Sequence, residues 1–452
     1  MIKFYIALWA SKLCTFLYTL MGNRQDDKPG MLALKICDDF IDKINKPTII
    51  CITGTNGKTT VTNMVSNMLL NDKKKVIYND WGANTRSGVS RCLLDGVTIF
   101  NRSKKDYAIL ETDELLSNEI LPSVKPKYLV VTNLSRDSLH RNAHPYYIFD
   151  KINNFIPKET TLILNADDPI SSELGNDNKC LYFGISEQKT DSKVPINIIN
   201  DFRICPNCNT KVIYNYIRYH HIGNYYCPNC HKKSKEADYL ITKIDYDKQN
   251  IKVKFKDKED EYPIINDSIF NIYNLLAATT LMRELDYKPK EITNLLNSNK
   301  IVASRYSNTI VKGIEINTIA SKGLQGMAPS RVMDYIKQET GNIEVILVLD
   351  DATDKKYGSE CTTWIYEIDF EFLNKDNIKR IIVGGVRSND YKARLLLAGI
   401  DREKIVCTQD EEDTYKYLLL KNTDKVFICH DLFFVSGAKK IKDKIIEKIN
   451  NN

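Results

Sequence analysis

Apolar residues in this chain fall into short runs separated by stretches of helical spacing. Pro47-Thr-Ile-Ile50 reads as a short buried strand, and after it Val61, Met64, Val65, Met68 and Leu69 recur on one helix face. The runs Val76–Tyr78, Tyr107–Leu110, Tyr128–Val131 and Thr161–Leu164 follow, with helical stretches between most of them. Apolar strands alternating with helices predict a mostly parallel sheet with helices on both faces. Ligands on such sheets bind beyond the carboxyl ends of the strands. From Arg305 onward, Val345–Leu349, Ile381–Val383, Lys404–Val406 and Lys425–Ile428 alternate with helices such as Tyr391–Ala398 and predict a second, smaller α/β domain. Ahead of the first strand, the pattern predicts an amphipathic helix over Met1–Met21, a turn at Asp26–Gly30 and a helix over Met31–Ile44. The apolar run Phe4–Ala10 lacks a small-residue cleavage site, and Lys12 interrupts it before the roughly 20 residues of a membrane span. Two placements stay open for that helix, packed on the body of the protein or touching a membrane surface.

With 452 residues the chain exceeds one ordinary core. The expected division is an N-terminal helical segment over 1–46, a central domain over 47–303 with an insertion at 200–236, and a C-terminal α/β domain over 304–452. Hydrophobic content of 43% and charged content of 27% are those of a soluble globular protein. The net charge of +6 permits an anionic ligand without indicating a nucleic-acid binder. Twelve cysteines, four of them in metal-type spacing, fit a reducing cytoplasm better than a disulfide framework.

The candidate chemistry starts at Cys51-Ile-Thr-Gly-Thr-Asn-Gly-Lys-Thr-Thr60, between the first core strand and its helix. Gly54 and Gly57 let the backbone of Thr55, Asn56 and Thr60 turn its N–H groups toward phosphate oxygens. Lys58 can reach the outer phosphates, and Thr59 can ligate Mg²⁺. The bland alternative is an ordinary strand-to-helix turn. Three further strand ends carry polar residues: Glu111-Thr-Asp-Glu114, suited to a Mg²⁺ bound to ATP or simply a solvated helix start; Thr132-Asn133 with Ser135, Arg136, Asp137 and His140; and Asn165-Ala-Asp-Asp-Pro169, a purine or ribose edge or a plain Asx turn.

Cys205-Pro-Asn-Cys208 and Cys227-Pro-Asn-Cys230 are matched knuckles with 18 residues between them, and the tyrosine-rich segment Tyr214–Tyr226 reads as the hairpin of a zinc ribbon. Four thiolates leave no open position on Zn²⁺, so the site is expected to be structural. A redox pair is the alternative reading, and a nucleic-acid ribbon is disfavoured by a weakly basic surface of His220, His221, Lys232 and Lys233.

The loop, with only two residues between its glycines, resembles the Mur ligase superfamily, whose members use ATP to turn a carboxylate into an acyl phosphate that an amine attacks. The resemblance implies Glu111 and Thr59 as magnesium ligands, Asn165 and Asp168 near adenine, Asn271 near the nucleotide (with Asn274 in the same helix start) and Arg305 at the junction to the last domain. A Mur-type central P-loop ATPase domain with a parallel sheet, a zinc-ribbon insertion and a smaller C-terminal α/β domain is the arrangement of the MurT family. Pro29-Gly, Ala33-Leu-Lys35, Gly82-Ala-Asn84, Thr363-Trp-Ile-Tyr366 and Asp369-Phe-Glu371 extend the likeness over nearly the whole chain.

That likeness implies a cytoplasmic amidotransferase subunit. Its substrates would be ATP with Mg²⁺ and lipid II at the membrane surface. Ammonia would come from a GatD-like glutamine amidotransferase, since no glutaminase arrangement of Cys, His and acid is visible. Lys58 and Glu111 would serve catalysis. The family's aspartate three residues before the tryptophan is Cys361 here, so Asp351 or Asp354, with Asp350 beside them, is the expected source of a replacement carboxylate. Two other family segments appear as Ser321–Gly326 and Arg136–Arg141 in altered form. Rival readings are an amino-acid-adding ligase of the murein or folylpolyglutamate type and a non-catalytic ATP-binding protein with a zinc ribbon.

Overall fold

The computed structural model describes residues 1–22, 26–79, 83–137, 144–298, 306–350 and 362–451. Contacts divide the chain into two units. The first takes Met1–Ser135, His144–Val194 and Asp201–Lys300, and the second takes Arg136–Ala143, Pro195–Asn200 and Ile301–Asn452.

The first unit opens with α1 (Ile2–Leu20), α2 (Lys28–Ile36) and α3 (Phe40–Lys43). One helix was expected over Met31–Ile44. It is broken because Cys37 turns extended (φ −139°) after capping α2. There follow β1 (Thr48–Thr53), α4 (Lys58–Asn71), β2 (Val76–Tyr78), α5 (Arg86–Gly96), β3 (Tyr107–Glu111), α6 (Ser117–Val124), β4 (Tyr128–Val131), α7 (Pro145–Asn153), β5 (Thr161–Asn165) and β6 (Cys180–Ile185). The hairpin β7 (Ile213–Tyr219) and β8 (Ile222–Tyr226) precedes β9 (Tyr239–Asp245), β10 (Asn250–Phe255), β11 (Lys258–Pro263), α8 (Ile269–Glu284) and α9 (Pro289–Ser298).

Nine of these strands form one sheet in the order β11-β10-β9-β6-β5-β4-β1-β3-β2. From β2 to β9 every pairing is parallel, and β9, β10 and β11 pair antiparallel at one edge. That edge was not anticipated. Its strands alternate apolar with charged residues, as in Ile251 and Val253, both buried, beside the half-buried Lys252 and the exposed Lys254. The central strands are buried on both faces. Ile50, Ile52, Ile109, Val130 and Ile163 share a core with α4 and α8, while Cys51, Leu110, Leu129 and Leu164 are equally buried on the other face.

The second unit holds β12 (Tyr306–Val311), β13 (Ile314–Ser321), α10 (Met327–Gln338), β14 (Ile343–Val348), α11 (Thr363–Tyr366), β15 (Ile378–Gly384), α12 (Ser388–Leu397), β16 (Ile405–Thr408), β17 (Lys425–Asp431) and α13 (Val435–Asn451). Its sheet runs β12-β13-β17-β14-β15-β16, parallel except for the β12–β13 hairpin. Alternate residues of β14 face opposite layers. Val345 and Leu347 join α10, α11 and α12, whereas Ile346 and Val348 meet Ala438, Ile441, Ile445 and Ile449 of α13. Trp364 and Ile365 are core residues of the first layer.

A carboxylate is buried in this second core. Glu344 on β14 is fully buried and accepts from Leu419 N (2.8 Å), Leu420 N (2.8 Å) and Thr423 Oγ1 (2.7 Å), which ties the segment before β17 to the sheet. Replacing it by leucine strands three donors. Glu344→Leu is expected to lower stability by about 3 kcal/mol in urea unfolding followed by circular dichroism, and Glu344→Gln, which keeps one acceptor, by less. Equal midpoints for wild type and Glu344→Leu would contradict this account.

Candidate functional site

β1 sits between β4 and β3 in the middle of the first sheet, and its carboxyl end delivers the Gly54–Thr60 loop. Gly54 (φ +128°) and Gly57 (φ +90°) both adopt backbone conformations that side chains resist. A Cβ at Gly54 would collide with Thr132, and one at Gly57 with the Asn274 amide. The loop is pinned from the β4 end: Thr55 N donates to Asn133 O (2.8 Å), Thr55 Oγ1 to Ser135 O (3.0 Å), and Thr132 Oγ1 and Asn133 Nδ2 donate to Asn56 O (2.6 and 3.0 Å). Gly57 then caps α4, so the unsatisfied first-turn N–H groups of Lys58, Thr59 and Thr60 point out of the turn with the positive end of the helix dipole. Among the described residues the buried Asn56 Nδ2 has no partner, which suits a loop built to meet an oxygen-rich anion.

Lys58 Nζ donates to the Gly54 carbonyl and pairs with Glu114 Oε2 at 2.8 Å. Burial opposes its charge, yet Glu114, with Glu111 and Asp113 behind it, holds Lys58 above its ordinary range, so the ammonium is fully charged. Glu111 ends β3 and is fixed through its backbone, which exchanges two 2.8 Å bonds with the Asn79 amide. Asn84 Nδ2 reaches its carboxylate at 3.5 Å. The acids at this strand end are therefore buried around the lysine and are not a solvated helix start. On the far side of Gly57, Asn274 Nδ2 donates to Asn271 Oδ1 (3.3 Å), and Asn271 Nδ2 to Ser268 Oγ at the start of α8 (2.8 Å).

The β5 end carries a second constellation. Asn165 Nδ2 donates to Thr132 O (3.2 Å) and its Oδ1 accepts from Asp167 N (3.1 Å). Asp168 is fully buried, with its oxygens accepting from Leu134 N (2.6 Å) and Ile170 N (2.9 Å), and it faces His221 Nε2 at 3.4 Å. Burial works against a charged His221, but its bond to Asp168 holds the imidazole above its ordinary range. Neighbouring Asp167 anchors a cluster that sequence spacing did not reveal. Arg218 of β7 pairs with Asp167 Oδ2 (3.2 Å) and grips Asp191 with two bonds (2.7 and 3.1 Å), and Tyr273 of α8 donates to Asp167. Gly223 N, just inside β8, donates to Asp167 O at 2.7 Å. These partners are far apart in the chain. The only hint was the doubled acid in Asn-Ala-Asp-Asp-Pro.

The β7–β8 hairpin also carries the cysteines. All four Sγ atoms, of Cys205, Cys208, Cys227 and Cys230, lie within 4.8 Å of one another. The shortest separations are 3.4 Å for Cys208–Cys227 and 3.5 Å for Cys205–Cys230, too long for disulfides and close to the about 3.8 Å between sulfurs on a tetrahedral metal. Each knuckle is the same turn: Asn209 N donates to Cys205 O and His231 N to Cys227 O, with Asn209 (φ 58°) and His231 (φ 59°) both left-handed. Hydrogen bonds from Thr210 pull the Cys208 thiol down to about 5, whereas at Cys230 the pull of the Lys232 backbone is outweighed by burial and bonds to the other three cysteines, which push it up to about 12. The donor set fits a closed four-coordinate soft-metal site.

In the second unit, Asp350 at the end of β14 accepts from Arg387 N (3.0 Å), and Asp431 at the end of β17 accepts from Gly323 N (2.9 Å). Asp369, singled out with Phe370 and Glu371 for its family likeness, receives Asn197 Nδ2 (2.9 Å) and Ile198 N (2.6 Å) and so holds the Pro195–Asn200 segment in this unit. Burial pushes its carboxyl above the ordinary range. The expected sites Arg305, Asp351 and Asp354, together with His140 and Cys361, lie outside the described residues.

Comparison with known proteins matches residues 52–230 to the Mur ligase middle domain and 326–431 to the MurT ligase C-terminal family. The chain's fold is like that of a pseudomurein peptide ligase type C from Methanothermus fervidus (TM-score 0.67, 24% identity, 91% of this chain and 81% of that one). It is also like that of the MurF ligase from Thermotoga maritima in complex with ADP (TM-score 0.60, 15% identity, 94% and 84% covered). A parallel-sheet unit with a glycine turn at the β1–α4 junction, followed by a second α/β unit, thus has the fold of the Mur ligases. The lipid II isoglutaminyl synthase (glutamine-hydrolyzing) subunit MurT of Staphylococcus aureus is 32% identical over 417 residues, 91% of each chain, and that of Streptococcus pneumoniae is 28% identical over 418 residues. The chain belongs to the MurT family.

The Arg218 cluster makes a sharp prediction. Arg218→Met leaves Asp167 and Asp191 buried without their cation and is expected to cost about 3–5 kcal/mol of stability. Arg218→Lys is expected to recover only part of it, because one ammonium cannot span both carboxylates. Thermal unfolding of the three proteins reads this directly, and a methionine variant as stable as wild type would remove the cluster's structural role.

Proposed function

We propose that the chain is the synthetase subunit of a lipid II isoglutaminyl synthase. The observation that carries the reading is the 32% identity to the S. aureus subunit across 91% of both chains, together with the charged Lys58 in its glycine turn. In this reading the α-carboxylate of D-glutamate in the lipid II stem peptide attacks the γ-phosphorus of ATP, and ADP leaves. Ammonia then attacks the acyl carbon of the resulting acyl phosphate. Phosphate departs, a proton is lost, and D-isoglutamine remains. The N–H groups of the Gly54–Thr60 loop would receive the triphosphate, and Lys58 would exchange part of its pairing with Glu114 for the outer phosphates. Thr59 and Glu111 would hold Mg²⁺, which supplies charge neutralisation on the transferring phosphoryl group. Asn271 and Asn274 back the loop. Asn165 and Asp168 frame the base side, Asp168 by fixing the backbone of Leu134 and Ile170. Arg305, Asp351 and Asp354 keep the roles that the family likeness implies, contact with the nucleotide for the first and a carboxylate for amide formation for the other two.

The words "subunit" and "glutamine-hydrolyzing" in the relatives' names support a separate GatD-like glutaminase as the ammonia source. A cytoplasmic place follows from the use of ATP, at the inner face of the membrane where the lipid-linked peptide is presented. Among the described residues no helix is long and apolar enough to cross a membrane.

The test combines the protein with its glutaminase, ATP, glutamine and lipid II, and follows acid-to-amide conversion by mass spectrometry. Wild type is expected to convert the peptide. Lys58→Ala is expected to lose at least about a hundredfold in turnover, with nucleotide affinity falling in parallel. Turnover that needs a free amino acid in place of glutamine would point instead to an amino-acid-adding ligase.

Zn²⁺ is the metal proposed for Cys205, Cys208, Cys227 and Cys230. Metal analysis of the purified protein is expected to give about one zinc per chain, and Cys227→Ser to lose it and melt at lower temperature. Metal-free protein in which the four thiols cycle reversibly through disulfides would favour redox chemistry.

A further inference from the structure

We propose that α1 is a membrane-docking helix whose outward face, with the adjoining Ile99–Phe100 turn, rests on an anionic lipid surface. The helix is apolar on two sides. Its inner side buries Phe4, Ala7, Leu8 and Ser11, and Phe4 stacks on Phe40 with ring centroids 5.3 Å apart. Lys12 fixes the helix's rotation by donating to Leu94 O (2.6 Å) and Val97 O (2.7 Å). The outer face therefore cannot roll inward.

That outer face is a continuous stripe. Ile2, Ile6, Trp9, Leu13, Phe16 and Leu20 recur every three or four residues and are 49–80% exposed together with Leu17 beside them. Scattered exposed apolar residues need no explanation, but a stripe along the whole of a 19-residue helix does. The patch continues off the helix, because Trp9 Nε1 donates to Ile99 O (2.9 Å) and Ile99 and Phe100 are 52% and 67% exposed.

The spacing would also suit a helical partner, and two features decide for lipid. Helices that pair through such a stripe carry opposite charges along its flanks, whereas α1 has no acidic residue, and its flanks hold Tyr5, Ala10, Cys14, Tyr18 and Thr19. Exposed cations adjoin the patch along the chain, Lys3 on the helix and Arg102 and Lys104 following the Ile99–Phe100 turn, while the exposed acid Asp95 acts on Lys12, on the inner side of the helix. Aromatic and aliphatic side chains on one face, bordered by lysine and arginine, match the boundary between acyl chains and anionic headgroups.

The inference stands on the helix face and does not need the substrate reading, so its test omits ATP and lipid II. Full-length protein is sedimented with unilamellar vesicles of phosphatidylglycerol and phosphatidylcholine, or of phosphatidylcholine alone. Binding to the anionic vesicles is expected, with affinity about tenfold lower on the neutral ones or in high salt. Leu13→Glu/Phe16→Glu, both exposed, is expected to reduce binding at least about tenfold while circular dichroism and nucleotide affinity stay unchanged. Lys58→Ala is expected to sediment like wild type, which separates this inference from the ligase reading. Wild type left in the supernatant, or a double variant that sediments equally, overturns the proposal. So does a dimer, seen by light scattering, that the double variant dissociates without any vesicle binding, since it gives the face to a second copy.

Discussion

A cation held inside a protein must be balanced where it sits, and the first unit is arranged around one such balance. Lys58 sits at the foot of α4 with its side chain only 11% exposed, where the helix dipole already makes the surroundings positive. Three acids from the end of β3 and the turn after it offset that field, with Glu114 in direct contact at 2.8 Å. The result is a turn whose N–H groups face outward at an anion while its lysine is kept charged and aimed. An incoming phosphate meets a cation that is already desolvated, so less reorganisation is required than for a lysine drawn from water. The same acids would serve a divalent cation arriving with the phosphates. One strand end thus carries both the counter-charge of Lys58 and one of the proposed Mg²⁺ ligands, Glu111.

The cysteine hairpin has a part in this arrangement beyond its own metal. β7 and β8 pack directly on the β5 end through Arg218, His221 and the Gly223 N–H, and all three converge on Asp167 and Asp168. Buried ionic groups of this kind contribute little net stability compared with apolar packing, but they penalise every other arrangement heavily. The hairpin is therefore locked in one register against the segment proposed to frame the base. A metal that staples the two knuckles together would stiffen the same hairpin from its outer end. The insertion reads as scaffold for the side of the sheet proposed to hold the nucleotide.

The sequence displayed what is local and left out what is assembled. The glycine turn was legible because its backbone requires glycines at Gly54 and Gly57, with the lysine next to them, all within one short stretch. The matched knuckles were legible for the same reason, and so were the doubly buried strands, whose unbroken apolar runs have no other home. The antiparallel edge β9–β11 was missed because its strands mix lysine and glutamate with single apolar residues, a pattern close to that of a polar loop. The Arg218 cluster joins residues from four distant segments, and nothing in the spacing of Asp167, Asp191, Arg218 and Tyr273 says that they meet. The pairing of Lys58 with Glu114 was half visible: the acidic run was noticed and its place beside a metal expected, but the lysine's own counter-ion was not.

The opening helix shows why periodicity alone under-determines a segment's surroundings. A stripe repeating every three to four residues says that one face is apolar, and α1 carries two such faces on opposite sides. A soluble helix with that pattern is normally buried all round. Here Lys12 and the Phe4–Phe40 stack fix which face turns inward, and among the described residues nothing covers the remaining stripe. Charge then narrows the choice, since a partner helix would be recognised by paired charges of both signs and α1 offers only one. An enzyme whose proposed substrate is tethered to lipid gains from being held at that surface, because its search becomes two-dimensional and its effective concentration rises.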